Sequence, residues 1–197
     1  MKSIWKLFWD ICLFRAGPEQ VPSSRALLVL IMATFVVFNS VIRCVPLQMG
    51  LLQSVFSSLF VLVAFTGALW LGLLFKGFGN RFQQTAIALI GQDLVLSVLS
   101  LPLLLLMASQ MQQGNSVLEI GSFILLLFYG WDLAVKGFII RESLDVGPGL
   151  AFMFAFTLVM GTILLESQLF GLGGDSMSDE LLQGSSAPEI EYYEGTP

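Results

Sequence analysis

Long apolar stretches alternate with short polar breaks along this chain, and the spacing of the breaks sets the expected architecture. A helix that crosses a hydrocarbon core of roughly 30 Å needs about 20 predominantly apolar residues. Five stretches qualify: Arg25 to Arg43, Leu51 to Phe75, Phe82 to Ala108, Val117 to Ile140 and Gly149 to Phe170. The separators CVPLQMG, KGFGNR, SQMQQGNS and RESLDVGPG carry the glycine, proline and polar residues that end helices at a wet interface. Links this short make one compact bundle. The pattern predicts an all-α membrane protein: a bundle of five transmembrane helices occupying residues 25–170, preceded by a short amphipathic interfacial helix.

That first helix lies in a segment covering residues 1–24. Lys2, Lys6 and Asp10 recur at every fourth position on one side, with Ile4, Phe8 and Ile11 on another, and Gly17 and Pro18 are expected to end it. Asp10 and the lack of a small-residue cleavage site argue against a signal peptide. The spacing fits a helix lying on the membrane surface or one packed on the bundle.

Charge placement adds a sidedness. Lys2, Lys6, Arg15 and Arg25, then Lys76 and Arg81, then Lys136 and Arg141 all fall on the side of the N-terminus, leaving Arg43 opposite. Basic residues stay on the cytoplasmic face, so the N-terminus is expected in the cytoplasm and the C-terminus outside, in the periplasm if the membrane is a bacterial inner membrane. The stretch 171–197, rich in Gly and Ser and bearing six acidic residues, reads as a disordered acidic tail in which Tyr192 and Tyr193 could serve as a docking peptide.

Composition narrows the chemistry. The chain has 197 residues, 56% of them hydrophobic and 12% charged, and no histidine, which removes the commonest general base and metal ligand. Cys12 and Cys44 fall on opposite sides of the first span and read as packing residues. No Walker loop, dinucleotide fingerprint or nucleophile elbow is present, and basic residues are too few for nucleic acid. No catalytic residue, metal or cofactor is expected.

Ionisable residues inside a bilayer are costly and each is a functional candidate. Asp93, beside Gln92 on the third span, and Asp132, four residues before Lys136 on the fourth, form the candidate intramembrane polar site. If the two helices face each other, the carboxylates could hold a proton or a cation. Equally, Asp132 could pair with Lys136, and Gln92 or a serine could cap Asp93, as polar glue between helices. Glu166 is expected to reach the headgroups, and Pro102 to kink the third span. Ser57, Ser58, Gly67, Gly121, Gly130, Ala151 and Ala155 are expected to serve packing within the chain.

The run FYGWDLAVKGFIIRESLDVGPGLAFMFAFTL, Phe128 to Leu158, resembles the fourth and fifth helices of the Yip1 family of five-helix membrane proteins. In that pattern Trp131 is the aromatic of the fourth helix, Arg141 and Glu142 its polar exit, and Gly149 and Ala151 the small-residue start of the fifth. The resemblance extends to the topology, and the short N-terminal segment is similar to the bacterial group. It implies a non-enzymatic component that organises the membrane or assembles complexes by helix packing, with the lipid bilayer, other membrane proteins or a second copy as partners. The alternative from the residues themselves is a small transporter or channel subunit using Asp93 and Asp132. An intramembrane enzyme ranks third, because Asp93 has no paired catalytic group.

Overall fold

The computed structural model describes residues 4–44, 50–110 and 117–170, and all regular structure among them is helical. The expected acidic tail lies outside the described residues, as do Lys2 and most of the first and third links. Six helices follow in order: α1 (Ile4–Cys12), α2 (Arg25–Cys44), α3 (Leu51–Phe75), α4 (Phe82–Gln110), α5 (Val117–Leu144) and α6 (Pro148–Phe170). Five of them, α2 to α6, are long and apolar enough to cross a membrane, with mean hydropathies of 1.8 to 2.2. At most 33% of the most apolar part of each is buried inside the bundle, so the rest presents apolar side chains such as Leu52, Phe75 and Leu126 outward. In water such a surface would be untenable, and it fits a multi-pass integral membrane protein.

Neighbouring helices close a ring: α2 packs on α3, α3 on α6, α6 on α5, α5 on α4, and α4 back on α2. The short links make consecutive helices antiparallel. One end of the bundle, here the basic end, gathers Arg25, Lys76, Arg81 and Arg141. At this end α4 is enclosed on all sides, since α1 also packs against it, and every residue from Thr85 to Gln92 is buried.

Two helices differ from the expected bounds for identifiable reasons. The fifth helix in the chain, α5, runs a turn beyond Ile140, because Leu144 is buried and Thr85 on α4 donates a hydrogen bond to the Ser143 hydroxyl at 2.9 Å. Near the N-terminus, α1 stops well before Gly17. Phe14 takes a left-handed backbone (φ 58°), Arg15 N–H reaches back to Asp10 O at 2.8 Å and Phe14 N–H to Ile11 O at 3.0 Å, which is the Schellman cap usually built on glycine. A non-glycine residue there costs roughly 1–2 kcal/mol. The Phe14 ring recovers part of this by packing edge-on to Phe138 (centroids 5.4 Å) and beside Trp131 (5.8 Å). Gly77 (φ 77°) closes α3 with the same cap, and Asp145 (φ 49°) ends α5.

Docking also changes which face of α1 is apolar and inward. Leu7, Phe8, Ile11 and Cys12 are buried, whereas Ile4 is exposed together with Trp5 and Trp9. The Phe8 ring sits where a side chain on Gly91 would be, so a Cβ at Gly91 would collide with it. Two glycines expected to pack within the chain do not: a Cβ at Gly67 or Gly130 would meet nothing within 4 Å. Ser57, Ser58, Ala151 and Ala155 are buried, and Gly121 lies against Met107. The Pro102 position leaves α4 one continuous helix.

Candidate functional site

All four residues of the candidate intramembrane site come together on the facing sides of α4 and α5. Asp93 lies 11 residues into α4 and Asp132 lies 12 residues before the end of α5, so at 1.5 Å per residue both sit about 16–18 Å from the basic end. Four residues on, one turn of α5 toward that end, Lys136 returns to the same face. Its ammonium donates to Asp93 Oδ1 at 2.6 Å and to Asp132 Oδ2. The Gln92 carboxamide donates through Nε2 to Asp132 Oδ1 at 2.9 Å and to Asp93 Oδ1. Grouped by charge with the basic residues on the side of the N-terminus, Lys136 is buried (6% exposed) inside α5, in the cluster.

Two carboxylates here share one ammonium and one amide. With all three charged groups ionised, the cluster keeps one negative charge unbalanced. Gln92 is fully buried, and its Oε1 is the one buried side-chain nitrogen or oxygen atom without a hydrogen-bond partner among the described residues. Each buried polar atom left unpaired costs about 1–3 kcal/mol, and native proteins hold few of them.

Asp93, Asp132 and Lys136 form the floor of a cavity of about 470 Å³ between α2, α4 and α5, with Gln92 buried behind them and outside its lining. Each helix turns one stripe onto it: Asp93, Ser97, Ser100 and Leu104 from α4, Leu125, Tyr129, Asp132 and Lys136 from α5, and Phe35, Asn39 and Arg43 from α2. From Asp93 to Leu104 the stripe runs about 16 Å along α4. Carboxylates and lysine mark one end, hydroxyls and an amide the middle, and leucines the other end with Arg43.

Below the floor lies α1. Trp131 Nε1 donates to the Cys12 carbonyl at 3.1 Å, satisfying one of the acceptors that a helix end leaves open. Burial pushes the Cys12 thiol up to about 12, helped by the negative charges of Asp93 and Asp132. A thiol held neutral in this way suits a packing group. Both cysteines are free thiols.

A second polar cluster occupies the opposite end, and the sequence reading did not single it out. Glu166 on α6 is buried instead of reaching outward. The Arg43 guanidinium grips it as a fork, Nη1 to Oε1 and Nη2 to Oε2 (3.3 Å), and the Ser57 hydroxyl of α3 donates to Oε1. Beside it Ser40 and Ser58 hydroxyls meet at 3.3 Å and the Cys44 thiol meets Ser54 at 3.3 Å, both between α2 and α3. The available signal was that Arg43 stood alone on its side of the expected topology and needed a partner.

No family model, no curated protein and no solved structure matches the chain. The meaning of the site rests on its own geometry.

Proposed function

We propose that the protein is a small transporter or channel-like membrane component whose binding site is the cavity ending at Asp93, Asp132 and Lys136, backed by Gln92. The observation that carries this reading is a charge imbalance at the floor of a 470 Å³ cavity, two carboxylates against one ammonium, with the unpartnered amide oxygen of Gln92 buried behind it. A cluster serving only as glue between helices gains most from balanced charge, since removing ions from water costs several kcal/mol each. The test is flux across liposomes holding the parent protein or its Asp93→Asn and Asp132→Asn variants. Flux of protons, cations or a coupled solute that both variants lose supports the reading. Equal traces for parent, variants and empty liposomes would sink it.

A second reading is a non-enzymatic Yip1-like component that organises the membrane or assembles complexes by packing against other proteins or itself. It draws support from a groove of about 270 Å³ between α3 and α6, lined by Ala64, Ala68, Gly161 and Thr162 among others, with Gly67 open nearby. Small residues let helices approach in lipid. Crosslinking in native membranes tests it, and recovery of the chain uncrosslinked to any protein would count against it.

In either reading the basic end faces the cytoplasm of a bacterial inner membrane, with the C-terminus periplasmic. Activity of a cytoplasm-only reporter fused after Pro197 would contradict this. Exposed Trp5, Lys6 and Trp9 on α1 suit the headgroup region, where indole rings and lysines collect, and support an interfacial placement for that helix.

A further inference from the structure

We propose that the floor of the cavity is an alkali-cation site, at which a monovalent cation takes the place of the Lys136 ammonium and the lysine releases its proton. This rests on the transport reading above and names its ligand.

The geometry is already that of a site for one positive charge. Lys136 Nζ lies against Asp93 Oδ1 and Asp132 Oδ2, so the two carboxylates, from different helices, converge on a single cationic centre. The donors are hard oxygens, suited to alkali and alkaline-earth ions and not to softer metals. Gln92, buried behind the carboxylates and outside the cavity lining, has an Oε1 with no partner, and a half-turn of its carboxamide would turn that oxygen toward them in place of Nε2 as a candidate third ligand. Asp93, Asp132 and Lys136 all line the cavity, so an ion in it reaches them directly.

For a monovalent ion the exchange is isoelectric. With ammonium bound, the floor holds one positive and two negative charges. With the cation bound and the lysine neutral, it holds the same. The Lys136 N–H bond breaks, its electron pair stays on nitrogen, and the proton leaves through the cavity. One cation in and one proton out leaves the buried charge unchanged. A divalent ion arriving with the same release would change it by one.

Other charged and titratable groups nearby do not compete. On α1, Cys12 is neutral; on α2, Arg43 is held by Glu166 of α6; on α5, Tyr129 lies one turn from Asp132 in the cavity wall. The cavity residue from α3 is Val61.

The experiment uses the full chain, purified in detergent and weakly buffered, with a pH-indicator dye. Sodium or lithium chloride is added, with choline chloride as the control, and binding of radioactive sodium is measured in parallel. The expected result is saturable sodium binding, with about one proton released per cation bound and none with choline. Asp93→Asn should abolish both signals. Gln92→Leu should weaken binding tenfold or more, and Lys136→Gln should bind sodium without releasing a proton. Each variant is first checked for a single monodisperse peak, and Gln92→Leu, which alters no charge, serves if Asp93→Asn fails to fold. Absence of saturable sodium binding overturns the proposal, as does binding without proton release in the parent or displacement of sodium by equimolar calcium. Cation-independent solute flux in liposomes would overturn it while sparing the transport reading. Cation binding without any flux would keep the site and remove transport.

Discussion

The two polar clusters of this bundle are built from the same materials and differ in how their charges close. At the end opposite the basic one, Arg43 meets Glu166 in a two-pronged contact, Ser57 takes up a remaining lone pair, and three helices are joined. At the floor of the cavity, Lys136 is outnumbered by Asp93 and Asp132, Gln92 keeps an unpartnered oxygen, and only α4 and α5 are joined. The first behaves as a clasp. The second leaves one charge unbalanced, the feature on which the proposed binding site rests.

The comparison is broken hardest at the clasp. Glu166→Gln strands the Arg43 guanidinium in a mostly buried position (side chain 17% exposed), so a loss of about 3 kcal/mol is expected. Reversible unfolding in mixed micelles measures it, and pairing Arg43→Met with Glu166→Leu should return most of the loss. Next comes the support beneath the floor. Gly91→Ala forces the Phe8 ring aside and should cost about 1–3 kcal/mol, and the cost should shrink when the same change is made in a Phe8→Ala background.

The same change should expose Cys12. In a Cys44→Ser background, labelling of folded Cys12 by a maleimide should be slow and climb with pH without a plateau below pH 10, since its thiol is pushed up to about 12. Unfolded chain should level off above its ordinary value of about 8.5. Gly91→Ala should speed labelling, and unchanged rates would mean that α1 is not seated on α4. Trp131→Phe removes the bond to the Cys12 carbonyl and should cost about 1 kcal/mol in the same unfolding assay.

The smallest expected effect sharpens the comparison most. Asp93→Asn relieves the excess negative charge, so stability should stay within about 1 kcal/mol of the parent or rise, opposite in sign to Glu166→Gln. A drop comparable to that of the clasp variant would make the two clusters alike.

The helices were legible because length and apolar content are properties of consecutive residues. Starts at Arg25, Leu51, Phe82 and Val117 agree with the structure, and the last span begins one residue earlier than expected. The Asp132–Lys136 pairing and the Gln92–Asp93 contact were also legible, being separated by four residues and one. Their convergence could be stated only as a condition, since which face α4 turns to α5 is decided by packing. Glu166 was misread for the same reason: its distance from the span's end suggests water, but the position of α2 gives it Arg43. The early stop of α1 at Cys12 was hidden because nothing in the residue type of Phe14 marks a left-handed cap. Its stabilising rings, Trp131 and Phe138, lie over a hundred residues away.

That distance orders the events of synthesis. The Phe8 seat is at Gly91, and the donor to the Cys12 carbonyl is at Trp131, 119 residues downstream. At a translation rate of about 5–20 residues per second, α1 waits on the order of 10 s after emerging before its groove exists. During that interval Leu7, Phe8 and Ile11 lack the α4 and α5 partners that bury them in the finished bundle. The first helix made therefore cannot complete its contacts until the span bearing Trp131 is in place, and its seating closes the flank of the floor at the basic end.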